Sequence, residues 1–398
     1  MYFEHTEFPV LLPMTNPRTE TDWQELRSRF PVFQKKTYLN SCSYGALANE
    51  VEASLQRYLD ARHDEGADWD YWVRRNEAVR DSAARLLGAD SDEIAVTASV
   101  SAAINSLASS LRFDGSRNKV VITDLEFPTN AQIWYAQEQR GARVVRLTAE
   151  DGRIPLEKFE AAVDEETLIV ATAQVAYRNG VKQNIPAIAG IARRNGALMM
   201  ADCYQALGTM QFDVKEAGVD FALGGSLKYL LGTAGIAFMY TRGELVESLS
   251  PTDTGWFAQE DIMAMSITSH DPSHTARRFE AGTPPVPNTY MAEAGMAIIH
   301  EVGLEAIEGR IGELTGSIKE KAREAGYQLV SPEDPSGHGA LITIRSTDDH
   351  RLVASLAEDN IVVSCRNDNL RISPHFYNNQ TDIDHLFRAL HERRELLA

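Results

Sequence analysis

Cysteine is scarce: Cys42, Cys203 and Cys365 are the three in 398 residues. None forms a C-x-x-C pair or shares a metal-ligand spacing with a histidine, so neither a disulfide scaffold nor a zinc site is expected. No run approaches 18 uncharged apolar residues, which leaves no candidate for a membrane-spanning helix. The first residues, Met1-Tyr2-Phe3-Glu4-His5-Thr6-Glu7, lack a cationic segment followed by an apolar one. No secretory leader is read there, and a cytoplasmic location is expected. Positive charge is also short, because the formal net charge is -18. Nucleic acid and anionic membranes would be repelled, although a locally positive pocket can still hold a small anion. No G-x-G-x-x-G follows the first strand-like segment, where a dinucleotide-binding enzyme would need it.

What remains is an ordinary soluble composition, 43% hydrophobic and 24% charged, on a chain long enough for two domains. Pro9, Pro13 and Pro17 interrupt any period near the start, so residues up to about Arg18 read as a loose arm before a short helix at Thr21-Asp22-Trp23. Helices are expected over 48–63 and 69–87, the second ended by Gly88. Apolar runs at 94–97, 119–122, 144–147, 168–172 and 198–201 then alternate with helical segments at 102–111, 130–140, 156–163 and 187–195. Strands without polar alternation, separated by helices, imply a mostly parallel sheet covered on both faces, with ligands at the strands' carboxyl ends. The Gly- and Pro-rich stretch 279–287 marks a boundary. Beyond it a helical stretch over 291–325 leads into a smaller alternating unit.

One pair of residues gives this α/β frame a chemistry. The run Leu198-Met199-Met200-Ala201 ends in Asp202-Cys203-Tyr204-Gln205, and shortly after comes Gly224-Gly225-Ser226-Leu227-Lys228-Tyr229. An acid at a strand end and a lysine among small residues suit an aldehyde cofactor. Pyridoxal phosphate requires an amine for its Schiff base and a carboxylate to keep its ring nitrogen protonated.

With Asp202-Cys203-Tyr204-Gln205 and Ser226-Leu227-Lys228-Tyr229, two further blocks complete a pattern: Thr97-Ala98-Ser99-Val100-Ser101-Ala102-Ala103-Ile104-Asn105 and Arg278-Phe279-Glu280-Ala281-Gly282-Thr283-Pro284. Their order resembles the class V aminotransferase family of pyridoxal-phosphate enzymes, in the aspartate aminotransferase superfamily, over roughly residues 37 to 395. That family includes cysteine desulfurases, kynureninases, isopenicillin N epimerases and carbon-sulfur lyases. The resemblance implies fold type I: a large cofactor-binding domain over 37–283 with a mostly parallel seven-stranded sheet, and a smaller C-terminal α/β domain over 284–398. The arm and first helix, 1–36, would pack with the small domain.

The resemblance also assigns residues. Lys228 would hold the cofactor, release it to a substrate amine to form an external aldimine, and take the Cα proton. Asp202 would pair with the ring nitrogen and Gln205 would donate to the phenolic oxygen. Ser99, Val100 and Ser101 would bind the phosphate at a helix N-terminus, with Ser226 as a second phosphate ligand. Phe127 would stack on the ring, where desulfurases usually carry histidine. Arg371 would grip the substrate carboxylate through its planar fork, with Asn40 and Cys42 nearby. Thr283 would reach the phosphate of a partner subunit, so a homodimer with shared sites is implied. Trp256 is a candidate for the same mouth, His375 for an acid or base beside the carboxylate site, and Tyr177 or Tyr229 for a phenol.

Two departures narrow the reaction. Cys365 directly follows the 361–363 strand and closely precedes Arg371, so the longer loop that would carry a persulfide-forming cysteine is missing, and Cys365 reads as a buried inert thiol. Leu227 stands where kynureninases place a tyrosine. The expected activity is therefore carbon-sulfur β-elimination on an α-amino acid, then class V amino transfer, with epimerase or kynureninase-like hydrolase behind them and persulfide-forming desulfurase disfavoured.

Overall fold

The computed structural model describes residues 21–398. The loose arm expected up to about residue 18 lies outside the described residues. In chain order the strands are β1 (Thr37–Tyr38), β2 (Ile94–Thr97), β3 (Lys119–Thr123), β4 (Arg143–Leu147), β5 (Thr167–Ala173), β6 (Leu198–Asp202), β7 (Phe221–Gly225), β8 (Ala237–Thr241), β9 (Ile342–Arg345), β10 (Ile361–Val362), β11 (Ser364–Cys365) and β12 (Asn369–Ile372). Seven of them form one sheet in the order β2-β8-β7-β6-β5-β3-β4. Strands β3 to β7 pair in parallel, whereas β8 runs antiparallel to both β7 and β2. The expected mostly parallel seven-stranded sheet is present.

Apolar runs without alternation explain its burial. Every residue of β2, β3, β6 except Leu198, β7 and β8 is buried, as parallel strands flanked by helices require. One apolar cluster joins Val121, Val170, Met199, Ala201 and Phe238 to the helices on one side. A second joins Val120, Ile122, Met200, Leu223 and Met239 to helices Val100–Ser110 and Pro128–Ala136 on the other. Adjacent strand residues point to opposite faces, so the two clusters alternate along the same strands.

The smaller sheet, β11-β12-β9, is antiparallel and packs on Leu314, Ile318, Leu352, Leu386 and Leu390. The β1 strand pairs with β10 and brings Leu39 into this same core. Its extension, the bridge from Asn40 to Ser373, carries the 40–45 loop toward the larger sheet. The single helical stretch expected over 291–325 is two helices, Val286–Val302 and Leu304–Glu324. Gly303 breaks it at φ 87°, a conformation that glycine adopts without steric penalty.

The 278–283 motif proves to be a brace for β2. Arg278 is buried and donates to the carbonyls of Ser273, Val246 and Leu249. Glu280 is buried and accepts from Arg80 Nη1 at 2.7 Å and from the Val96 amide at 2.8 Å. Arg80 also bonds the Ile94 carbonyl. Both partners of the Arg80–Glu280 pair are only 3% exposed, so losing one strands the other as a buried charge. Glu280→Ala is expected to lower the unfolding free energy by about 3 kcal/mol. A denaturant midpoint equal to that of the parent protein would show that the brace is dispensable.

Candidate active site

The carboxyl ends of β2, β3, β5, β6 and β7 and the start of β8 surround a cavity of about 270 Å³. Its wall includes Ser99, Val100, Ser101, Phe127, Asp202, Gln205 and Lys228, all named from the sequence. They arrive from the ends of four strands, Ser99 to Ser101 from β2, Phe127 from β3, Asp202 and Gln205 from β6 and Lys228 from β7, so the sheet itself makes them neighbours.

At one end lies the N-terminus of helix Val100–Ser110. Ser99 caps it, its hydroxyl oxygen accepting from the Ala102 amide at 3.1 Å. The Val100 and Ser101 amides have no acceptor among the described residues, and the Ser101 hydroxyl meets only Thr129 Oγ1 at 3.3 Å. Two free N–H groups, a hydroxyl and the positive end of the helix dipole form a seat for an anion.

Asp202 ends β6 and is buried. One carboxylate oxygen accepts from the Tyr204 amide at 3.0 Å, and no cation pairs with it among the described residues. Burial holds its carboxyl above the usual range, partly offset by that N–H bond and by Lys228. Lys228 is half-buried, and its Nζ finds no hydrogen-bond acceptor among the described residues. It sits 4.5 Å from the centroid of the Tyr204 ring and 5.7 Å from that of Phe127. Burial lowers its ammonium to about 8, opposed by Cys42 and Asp202 and assisted by Arg371.

The lysine loop is held by tight backbone contacts. The Gly45 amide donates to the Leu227 carbonyl at 3.1 Å, and a Cβ on Gly45 would stand 2.2 Å from the Lys228 carbonyl. A Cβ on Gly225 would strike the Tyr204 ring at 2.7 Å. Leu231 closes the loop at φ 61°, a strained value for a branched residue, and costs about 1 kcal/mol. Strain of this kind collects where surrounding packing forces a functional conformation.

Phe127 is 47% exposed and meets Tyr177 edge-on, with centroids 5.2 Å apart. Behind it Glu126 is fully buried and accepts from Thr123, Thr172, Asn130 and the Ala173 amide, which ties β3 to β5. Burial raises its carboxyl to about 7, opposed by these hydrogen bonds. Gln205 spends its amide nitrogen on the Cys42 carbonyl at 3.1 Å and leaves buried Oε1 without a partner.

Arg371, on β12, is buried with no carboxylate partner among the described residues. Its Nε is unpaired, and one Nη donates to Ser364 Oγ at 3.4 Å. Asn40 Oδ1 is likewise buried and unpaired. The Cys42 thiol is buried and lies 3.9 Å from the Ser43 and Ser364 hydroxyls. Cys42, on the 40–45 loop, and Arg371, on the smaller sheet, act electrostatically on Lys228, but none of these three residues lines the cavity.

Other expected residues stand elsewhere. Ser226 is fully buried outside the cavity, its hydroxyl donating to the Thr233 carbonyl at 2.7 Å. Thr283 is exposed and lines a separate hollow, which shares Ala98 with the cavity wall. Trp256 packs against Trp69 rather than lining the cavity. Tyr177 lines it and Tyr229 does not. His375 receives the Phe376 amide on Nδ1 and so presents Nε2–H to the Tyr229 carbonyl at 2.9 Å. Its fully buried ring is pushed down to about 4 by desolvation, and acts as a neutral strut below the lysine loop rather than as an acid or base. Cys365 is only half-buried, its thiol 3.6 Å from His350 Nδ1, contrary to the buried thiol expected. Tyr204 was not anticipated, although its place between Asp202 and Gln205 already put it on the wall.

Comparison with known proteins accords with this architecture. The class V aminotransferase family model matches residues 56–386. An uncharacterized aminotransferase of Bacillus subtilis, YcbU, is 35% identical over 91% of this chain and 95% of its own length. Kynureninases and probable cysteine desulfurases also match, at 25–28% identity. Among solved structures, the Escherichia coli cysteine desulfurase CsdA superposes with a TM-score of 0.84 at 21% identity, covering 96% of this chain and 100% of that one. A complex of the cystine C-S lyase C-DES with cysteine persulfide gives 0.83 at 18% identity, covering 91% of this chain and 98% of that one. No helix among the described residues is long and apolar enough to cross a membrane. With its seven-stranded sheet and a family match spanning most of the sequence, this chain belongs to the class V aminotransferases, enzymes whose cofactor is pyridoxal phosphate.

Proposed function

We propose that the chain acts on an α-amino acid and cleaves its Cβ–S bond by β-elimination. The observation that carries the reading is Lys228: a half-buried amine with no acceptor among the described residues, between an anion seat at Ser99, Val100 and Ser101 and the guanidinium of Arg371, which has no carboxylate partner among them. The residues fit the family's cofactor. Two free amides suit a phosphate, and Asp202, a buried carboxylate with no cation partner among the described residues, suits a protonated ring nitrogen. Gln205, whose Oε1 alone is unpaired, and the exposed face of Phe127 complete a polar edge and an aromatic cover.

Bound there, pyridoxal phosphate supplies an electron sink that acidifies the substrate Cα–H. Arg371 holds the substrate carboxylate in bidentate fashion, and Asn40 and the Cys42 region border that position. Held this way, Cα presents its hydrogen to Lys228 Nζ, which accepts the proton and, as an ammonium, is placed to return one to the departing sulfur. Asp202 would keep the ring nitrogen protonated, because no cation among the described residues pairs with its carboxylate. In a homodimer, exposed Thr283 would complete the phosphate seat of the second copy of the chain.

Support for elimination comes from what surrounds Lys228. Leu227 on the cavity wall offers no phenol, and Cys365 lies beside His350 rather than in the cavity. Likeness to a cystine C-S lyase agrees with this reading. A second reading, amino transfer to a keto acid, is favoured by the 35% identity to an uncharacterized aminotransferase. Incubation with a panel of amino acids and cysteine conjugates separates the two. Pyruvate and a released thiol, with the cofactor still in its aldehyde form, is the expected result. Accumulation of the amine form without pyruvate would select the aminotransferase.

A further inference from the structure

We propose that Asp349, His350 and Cys365 form a binding site for one zinc-class divalent cation. The linear sequence hides this site, since the adjacent pair Asp349-His350 lies 15 residues from Cys365. The fold closes the gap: helix Asp349–Glu358 packs over β10 and β11, and its first two residues meet Cys365 on β11.

Three observations carry the site. Cys365 Sγ lies 3.6 Å from His350 Nδ1, roughly the separation of a sulfur and a nitrogen bound to one tetrahedral zinc at ~2.3 and ~2.0 Å. Ligand atoms of all three residues fall within 4.8 Å of one another. Asp349 is only 7% exposed, yet apart from the neighbouring thiol and the imidazole, whose Nε2 is 3.9 Å away, no donor among the described residues reaches its carboxylate. A buried carboxylate without N–H donors is costly unless a cation joins it.

The donor set defines the cation. Thiolate, imidazole and carboxylate together favour zinc or cobalt over magnesium or calcium, which take oxygen ligands. The half-buried setting leaves a fourth position for water. Cys365 pairs with Leu370 across the β11–β12 ladder, while its neighbour Ser364 pairs with Arg371 and accepts the arginine's hydrogen bond. A cation on Cys365 would thus anchor the strand whose opposite face meets Arg371.

The test uses the holoenzyme, freed of metal by chelation and titrated with zinc chloride. Calorimetry should report one equivalent bound per chain. Alkylation of Cys365, read by peptide mass spectrometry against buried Cys42 and Cys203, should slow about tenfold or more when zinc is present. His350→Ala changes an exposed side chain and should leave the fold intact while raising the zinc Kd about tenfold or more. Cys365→Ser should weaken binding likewise. Absence of binding would overturn the proposal. So would zinc that binds the His350→Ala, Cys365→Ser double variant as tightly as the parent, or zinc that leaves the alkylation rate of Cys365 unchanged.

Discussion

Lys228→Ala is expected to reduce turnover of any amino-acid substrate by about 10³-fold or more, because the same amine captures the cofactor and moves the Cα proton. The structure adds a pH dependence. An amine attacks an aldehyde only when neutral, and burial lowers Lys228 to about 8. The rate at which apo-enzyme captures pyridoxal phosphate should therefore rise as pH increases through about 8 and level off above it. Asp202 and Cys42 pull the opposite way, so removing the Asp202 charge should shift that midpoint downward. A capture rate that stays flat from pH 6 to 9 would contradict the assignment of Lys228 as the attacking amine, whatever the turnover of the Ala variant.

Arg371→Ala is expected to lower kcat/KM by about 10²- to 10³-fold, mostly through KM, since it removes a charge-assisted clamp used in both ground and transition states. Arg371→Lys should recover only part of this, because an ammonium lacks the planar fork. Stability provides the discriminating readout. Arg371 is buried, its Nε is unpaired and no carboxylate among the described residues compensates it, so the free enzyme carries an unfavourable group that a substrate carboxylate would satisfy. The Ala variant should unfold no more easily than the parent. A substantially lower thermal midpoint together with an unchanged KM would make Arg371 a structural residue.

Residues whose role follows from the strand they end were legible in the sequence. Asp202 closes β6, and Ser99 to Ser101 follow β2 into a helix. A parallel sheet gathers all strand ends along one edge, and so the cavity wall could be read before the strand order was known. Side-chain direction was not legible. Ser226 has the right type and neighbourhood for a phosphate ligand, yet its hydroxyl turns into its own loop toward the Thr233 carbonyl. Gly303 looked like a residue inside one long helix, because a single glycine does not announce whether its φ is positive. Cys365 read as buried because its burial depends on where helix Asp349–Glu358 lands, a contact between distant segments. The same contact made the Asp349, His350 and Cys365 cluster invisible to any spacing rule. Arg278 and Glu280 were part of the recognised pattern, but their service as a brace for β2 emerged only from their partners.

Lys228 is proposed to hold pyridoxal phosphate, with the cavity at the strand ends as the active site. Reducing the cofactor-loaded enzyme with borohydride fixes the cofactor to whichever amine carries it, and peptide mass spectrometry locates the adduct. One pyridoxyl group per chain is expected, on the peptide containing Lys228, and none there after prior denaturation in the absence of cofactor. An adduct mapped to another lysine, or its absence from cofactor-loaded native enzyme, would contradict this assignment.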